Sequence, residues 1–212
     1  MKKVILIITM ALLLVNCVGC RSEGSRVITE SYKKDGIVID YPSLQDVSNT
    51  TNTLIKTEAL RVLDYYSDSV SSDLSLKIDY KIKLLTDTDI SIAYSGIGNV
   101  RGSAHPNSLF YTTNIDLKTG KKLRLKDFSK IDTAFLDKLR EAAKSQLSSK
   151  LAQSFQNYDD EQLVKYLDSA DTLDYGVDNQ YDTFSYLTKD SIGISLPVGH
   201  AAGDHIEVEV SR

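Results

Sequence analysis

The three histidines fall in two loop-like stretches, His105 in GIGNVRGSAHPN (96–107) and His200 and His205 in PVGHAAGDHIEV (197–208). Asp204 stands between the last two. If the stretches meet in space, His105, His200 and Asp204 offer the imidazole and carboxylate donors that zinc accepts. Their spacing matches no established ligand motif, and polar loop residues that satisfy turn backbone would look the same. No cofactor and no metal are therefore expected, and a metal-dependent hydrolase stands only as an alternative.

Other chemistry is poorly supported. GIGNVRG has the glycines of a phosphate cradle but not the helix start that such a cradle needs directly after it. SAHPNSLFYTT follows instead, and its Pro106 and its β-branched and aromatic residues oppose a helix. Ser95 in AYSGIG lacks the glycine two residues earlier that a nucleophile elbow requires. Ser103 lies two residues from His105, yet closeness in sequence is not a hydrogen-bonded pair. Asp87 and Asp89 fit a turn, while Asp159, Asp160 and Glu161 fit a helix start, where negative charge complements the dipole. What remains for the two stretches is contact: Arg101, His105 and Asn107 on one, Pro197, His200 and Asp204 on the other, are candidate binding-loop residues. Twelve tyrosines and no tryptophan agree with contact, since tyrosine joins a large apolar face to a polar tip. Tyr111, Tyr175, Tyr181 and Tyr186 lie in or beside the loops and strands of the later chain.

The N-terminus sets an address. Lys2 and Lys3 precede an apolar run from Val4 to Val15, then NCVGC. This is the layout of an export signal, and the run is shorter than the roughly 20 residues of a membrane span. Gly19 before Cys20 resembles a bacterial lipoprotein boundary, so residues 1–19 read as a lipoprotein signal peptide, Cys20 as the lipidated residue and Cys17 as the alternative acceptor. Residues 20–25 read as a tether. Both cysteines lie in the leader, so the exported part has neither a disulfide nor a reactive thiol. A formal net charge of −4 without a basic tract argues against nucleic acid as a partner.

The elements that must position the two stretches follow from periodicity. RVITESYKKDGIVIDYP predicts two strands joined at KKDG, with Pro42 ending the second. A helix is predicted from about Thr53 to Tyr66, with Ile55, Ala59, Val62, Leu63 and Tyr66 on one stripe. DLSLKIDYKIKLL alternates strictly, Leu74, Leu76, Ile78, Tyr80, Ile82 and Leu84 against Ser75, Lys77, Asp79, Lys81 and Lys83, so its sheet has one wet face. TDISIAYSG and SLFYTTNIDL continue the strands, and DLKTGKKLRL turns tightly between two more. A helix capped by Asp132 carries Phe135, Leu136, Leu139, Ala143, Leu147 and Leu151. A shorter one spans about Asp160–Leu167, and FSYLT, SIGISLP and HIEVEV close the chain as strands. The expected class is α+β, a largely antiparallel sheet packed by two main helices. It divides into N-terminal (26–115) and C-terminal (116–212) α+β parts, as one body or two small subdomains.

The order of these pieces resembles a known family. KKDGIVIDYPSLQ before a helix, then GSAHPNSLFYTTNIDLKTGKKLRLKDF, then FSYLTKDSIGISLP…HAAGDHIEVEV is similar to extracytoplasmic bacterial domains of PdaC-type peptidoglycan deacetylases and RsiV-type lysozyme-sensing anti-sigma factors. The resemblance covers about residues 26–210. It implies a non-catalytic, lipid-anchored module of the cell envelope, periplasmic or on the cell surface, here without a deacetylase domain. Such a module would recognise a wall glycan or a wall-acting protein such as lysozyme, or be purely structural. SLPVGHAAG replaces an aromatic and proline-containing loop that relatives often carry before the last strand, which bears on lysozyme as the ligand.

Overall fold

The structure, a computed structural model, describes residues 27–66, 73–172 and 182–212, with Ser154 described in backbone only. The leader with Cys17 and Cys20, the 20–25 tether, Tyr175 and Tyr181 lie outside these residues. Among the described residues no helix is long and apolar enough to cross a membrane.

The described strands form two sheets. β1 (Val27–Lys34) and β2 (Ile37–Leu44) make a hairpin, turning through Asp35 and Gly36 at φ +45° and +83°. Two successive residues with positive φ suit the right-handed twist of the flanking strands. β2 continues through Pro42, beyond its expected end, paired with Thr29 of β1. Its other neighbour reaches only Ile37–Ile39, so at Pro42 that side is an edge, where a missing donor is tolerated. Helix α1 (Asn49–Leu60) starts four residues before the expected Thr53 because Ser48 caps it, its hydroxyl accepting from Thr51 N at 3.1 Å. The helix breaks at Arg61 before a short α2 (Val62–Tyr65).

After this crossover β3 (Leu74–Leu85) lies parallel to β2, while β4 (Asp89–Val100), β5 (Asn107–Asp116) and β6 (Lys121–Leu123) add antiparallel. Ile37, Ile39, Ile55, Ala59, Leu76 and Ile78 are buried between this sheet and α1. Glu58, buried on α1, meets Lys122 of β6 at 2.5 Å and so ties the helix to the far side of the sheet.

The alternation of β3 is regular only to Ile82. There the register slips, Ile82 opposing Ile92 and Leu84 opposing Ser91, and the extra residue moves later side chains to other surroundings. Leu84 packs against the second core. Lys83, expected on the wet face, instead lies 4.0 Å over the Tyr186 ring and 3.5 Å from Glu207.

The second sheet is β7 (Phe184–Leu187), β8 (Ser191–Pro197) and β9 (His205–Ser211), all antiparallel. Helices α3 (Leu125–Phe128), α4 (Thr133–Gln146), α5 (Ser149–Gln156) and α6 (Asp160–Asp168) accompany it. Asp132 caps α4 as expected, accepting from Phe135 N at 3.1 Å. The stripe read as one helix through Leu151 is two: Leu147 is extended at ψ 149°, in SQLSS, whose serines compete for backbone hydrogen bonds. Leu136, Leu139, Ala143, Leu163, Ile194 and Val208 form the second core. The fold is α+β and mostly antiparallel.

A buried polar joint connects the two cores. Asp171, at φ +65° and 1 % exposed, accepts from Ser185 N (2.7 Å), Ser185 Oγ (2.6 Å) and Leu125 N (2.9 Å). The Thr112 hydroxyl of β5 and the Asn114 amide donate to Ser185 O at 2.6 and 2.9 Å. Ser91 of β4 donates to Asn114 Oδ1 and accepts from Leu187 N. Burial pushes the Asp171 carboxyl above its ordinary range, against the pull of these donors.

Candidate functional site

β4 and β5 must turn into one another near Arg101–Pro106, and β8 and β9 near Val198–Asp204. The GIGN segment is strand rather than loop, with Gly96 opposite Ile78 and Gly98 opposite Leu76. These glycines serve close approach: a Cβ at Gly98 would lie 2.1 Å from the Tyr66 hydroxyl, and one at Gly96 would lie 2.0 Å from the Lys77 carbonyl oxygen. At Gly96, whose φ is not positive, the requirement is space alone. Gly102, at φ +88°, does the turning.

The other connection is a short 3-10 turn at His200–Ala202, ended by Gly203 and Asp204 at φ +104° and +69°. The Asp204 carboxylate then binds both ways. One oxygen is 2.7 Å from His200 Nδ1, and the other accepts from Ser108 N at 2.7 Å, across 96 residues of sequence. The His105 and His200 rings stack with centroids 5.3 Å apart. The two stretches therefore meet, and Asp204 is the clasp between them. No group of three or more His, Cys, Asp or Glu among the described residues is arranged to hold a metal ion.

Beneath the clasp, α2, the first half of β5 and the ends of β7, β8 and β9 enclose a cleft of about 220 Å³. Asn107, Pro197 and Asp204 line it. Arg101, His105 and His200 are exposed and do not line it, and Arg101 is directed at Asp73, 4.0 Å away. Tyr65, Phe110, Asp182 and His205 line it too and were not singled out from sequence. Asn107 Nδ2 donates to the Tyr66 hydroxyl at 3.4 Å, and the Phe110 and His205 rings stack at 5.0 Å. Tyr65, edge-on to Tyr66, is 47 % exposed. Of the tyrosines expected to make contacts, Tyr111 and Tyr186 are buried; Tyr111 donates to Ala59 O at 2.6 Å.

The cleft is acidic. Its lining holds two carboxylates and neither lysine nor arginine. Burial pushes the Asp182 carboxyl up, and burial together with Asp182 and Asp204 raises the Tyr65 hydroxyl. Burial lowers His205, against the opposing pull of Glu207 and Asp204. Its buried Nδ1 has no hydrogen-bond partner among the described residues. A hydrogen-bonding group placed here would meet, at His205 Nδ1, a partner already desolvated. Nothing local in the sequence marks Asp182 or His205 as neighbours, because the cleft is assembled from four separate segments.

The architecture is one seen in solved DUF3298 family proteins. The chain is similar to a DUF3298 family protein from Pseudomonas aeruginosa PAO1, with 15% identity, a TM-score of 0.56 and coverage of 88% of this chain and 89% of that one. It is also similar to a DUF3298 member from Bacteroides fragilis, at 15% identity, a TM-score of 0.47 and 88% of each chain. The first likeness shows the fold. No protein-family model matches the sequence, and no curated protein is significantly similar to it.

Proposed function

We propose that this protein is a non-catalytic, lipid-anchored binding module of the bacterial cell envelope. In this reading it recognises a wall glycan or a wall-acting protein such as lysozyme. The observation that carries it is the cleft under the Asp204 clasp, which joins an exposed aromatic, Tyr65, to the exposed carboxylate of Asp182 and the half-buried ring of His205. Exposed aromatics beside partly buried polar groups are the usual anchors of recognition sites. The sequence resemblance to PdaC-type and RsiV-type domains supports an envelope role. The signal-like leader supports an anchor at Cys20.

Calorimetric titration of the chain from Arg21 onward, which keeps every described residue, tests the reading with lysozyme and with soluble wall fragments. Micromolar or tighter binding of one of them, without turnover and weakened by Tyr65→Ala, is expected. No heat with either, or turnover of the fragments, overturns it. In the exporting cell, Cys20→Ser is expected to abolish fatty-acid labelling.

A further inference from the structure

The cleft also presents backbone. β5 is paired with β4 from Asn107 to Asp116, but on its other side β6 reaches only Asn114–Asp116. From Asn107 to Thr113 no described strand pairs with that outer edge. Which groups face it follows from the antiparallel ladder, where alternate residues turn both N–H and C=O to the same side. Asp116 O accepts from Gly120 N on the β6 side, and Ser108 N is bound outward by Asp204. Even-numbered residues therefore point outward, and Phe110 is the next in the row after Ser108.

Asp204 covers the start of this edge, and Thr112, joined to Ser185, ends it against β7. Between them lie the Ser108 carbonyl and the N–H and C=O of Phe110, which have no backbone partner among the described residues. At about 3.3 Å per residue the open length suits two or three residues of an added strand. Flanking it are an apolar wall of Val62, Phe110 and Val198 and the two carboxylates Asp182 and Asp204, with no lysine or arginine in the lining. An unpaired edge recessed in an acidic, apolar cleft fits an extended, basic polypeptide: strand addition supplies main-chain bonds, and the walls select alternate side chains.

We propose that the cleft takes an extended peptide segment of a partner protein, hydrogen-bonded to the outer edge of β5 at Phe110, with a lysine or arginine against Asp182 and Asp204. This rests on reading the cleft as the binding site. It narrows the ligand to polypeptide, because strand addition needs alternating N–H and C=O groups that a glycan lacks.

The test is selection of a displayed library of random dodecapeptides on the full chain in detergent, followed by affinity measurement with the enriched peptides. Enriched sequences are expected to carry lysine or arginine between alternating apolar residues. Asp182→Asn, on an exposed side chain with the fold checked by circular dichroism, should weaken them about tenfold. N-methylation should abolish binding at alternate peptide positions and spare the intervening ones, which a merely electrostatic contact would not reproduce. Enrichment of peptides without basic residues, indifference to N-methylation, or no enrichment overturns the proposal. If no peptide is enriched while wall fragments bind in the calorimetric titration, strand addition fails and the cleft stands as a glycan site. If nothing binds, both readings fall.

Discussion

Replacing Asp171 by asparagine keeps the size of the side chain and a residue type that tolerates φ +65°. Each carboxylate oxygen of Asp171 receives one backbone amide, Oδ1 from Ser185 N at 2.7 Å and Oδ2 from Leu125 N at 2.9 Å. Asparagine has a single oxygen. Either way it turns, one buried N–H faces an NH2 group and loses its acceptor. A buried donor left unsatisfied costs about 1–3 kcal/mol. With a urea m-value of about 2 kcal/mol/M, the unfolding midpoint should fall by about 0.5–1.5 M. Asp171→Ala removes both acceptors, so about 2–6 kcal/mol is expected, plus about 1–2 kcal/mol for a Cβ at positive φ. Asp171→Gly relieves only the latter. Urea unfolding followed by circular dichroism gives all three values. An asparagine variant within about 0.5 kcal/mol of the parent, or one less stable than the alanine variant, would refute the account of the joint.

Two further outcomes follow from the packing. A Cβ at Gly193 would lie 2.0 Å from the Tyr186 ring, so Gly193→Ala must displace that ring from Lys83 and Glu209. A cost of about 1–3 kcal/mol is expected in the same urea assay, and no loss would contradict the contact. His205 titrates below its ordinary value of 6.5 because burial disfavours the cation. As pH falls from 6.5 toward the lowered value, the unfolded chain takes a proton that the folded chain refuses, so stability present above this window is lost within it. Urea midpoints across that range should fall in the parent and fall less steeply in His205→Gln; parallel slopes would contradict the burial of the ring.

By itself the sequence determined the elements whose signals are local. The alternation from Leu74 to Ile82 and the stripe from Phe135 to Ala143 were legible because a strand and a helix repeat at their own periods. The cap at Asp132 and the acidic helix start at Asp159–Glu161 were legible because such signals act within one turn. Arg101, His105, His200 and Asp204 were marked as loop residues by their glycine and proline neighbours, whereas Asn107 and Pro197, read with them as loop, are strand ends in β5 and β8. Where residues of identical local type differ in surroundings, only the tertiary structure decided. Gly96 and Gly98 look like a loop but are strand, because Lys77 and Tyr66 occupy the space beside them. Lys83 continues the wet-face alternation yet lies over Tyr186, because the register slips one residue earlier. Asp171 looks like any helix-terminal aspartate, and its donors come from segments 14, 46 and 59 residues away. The clasp at Asp204 and the open edge of β5 belong to the same class. They exist because the two sheets meet, and a contact between segments 96 residues apart leaves no periodicity in either one.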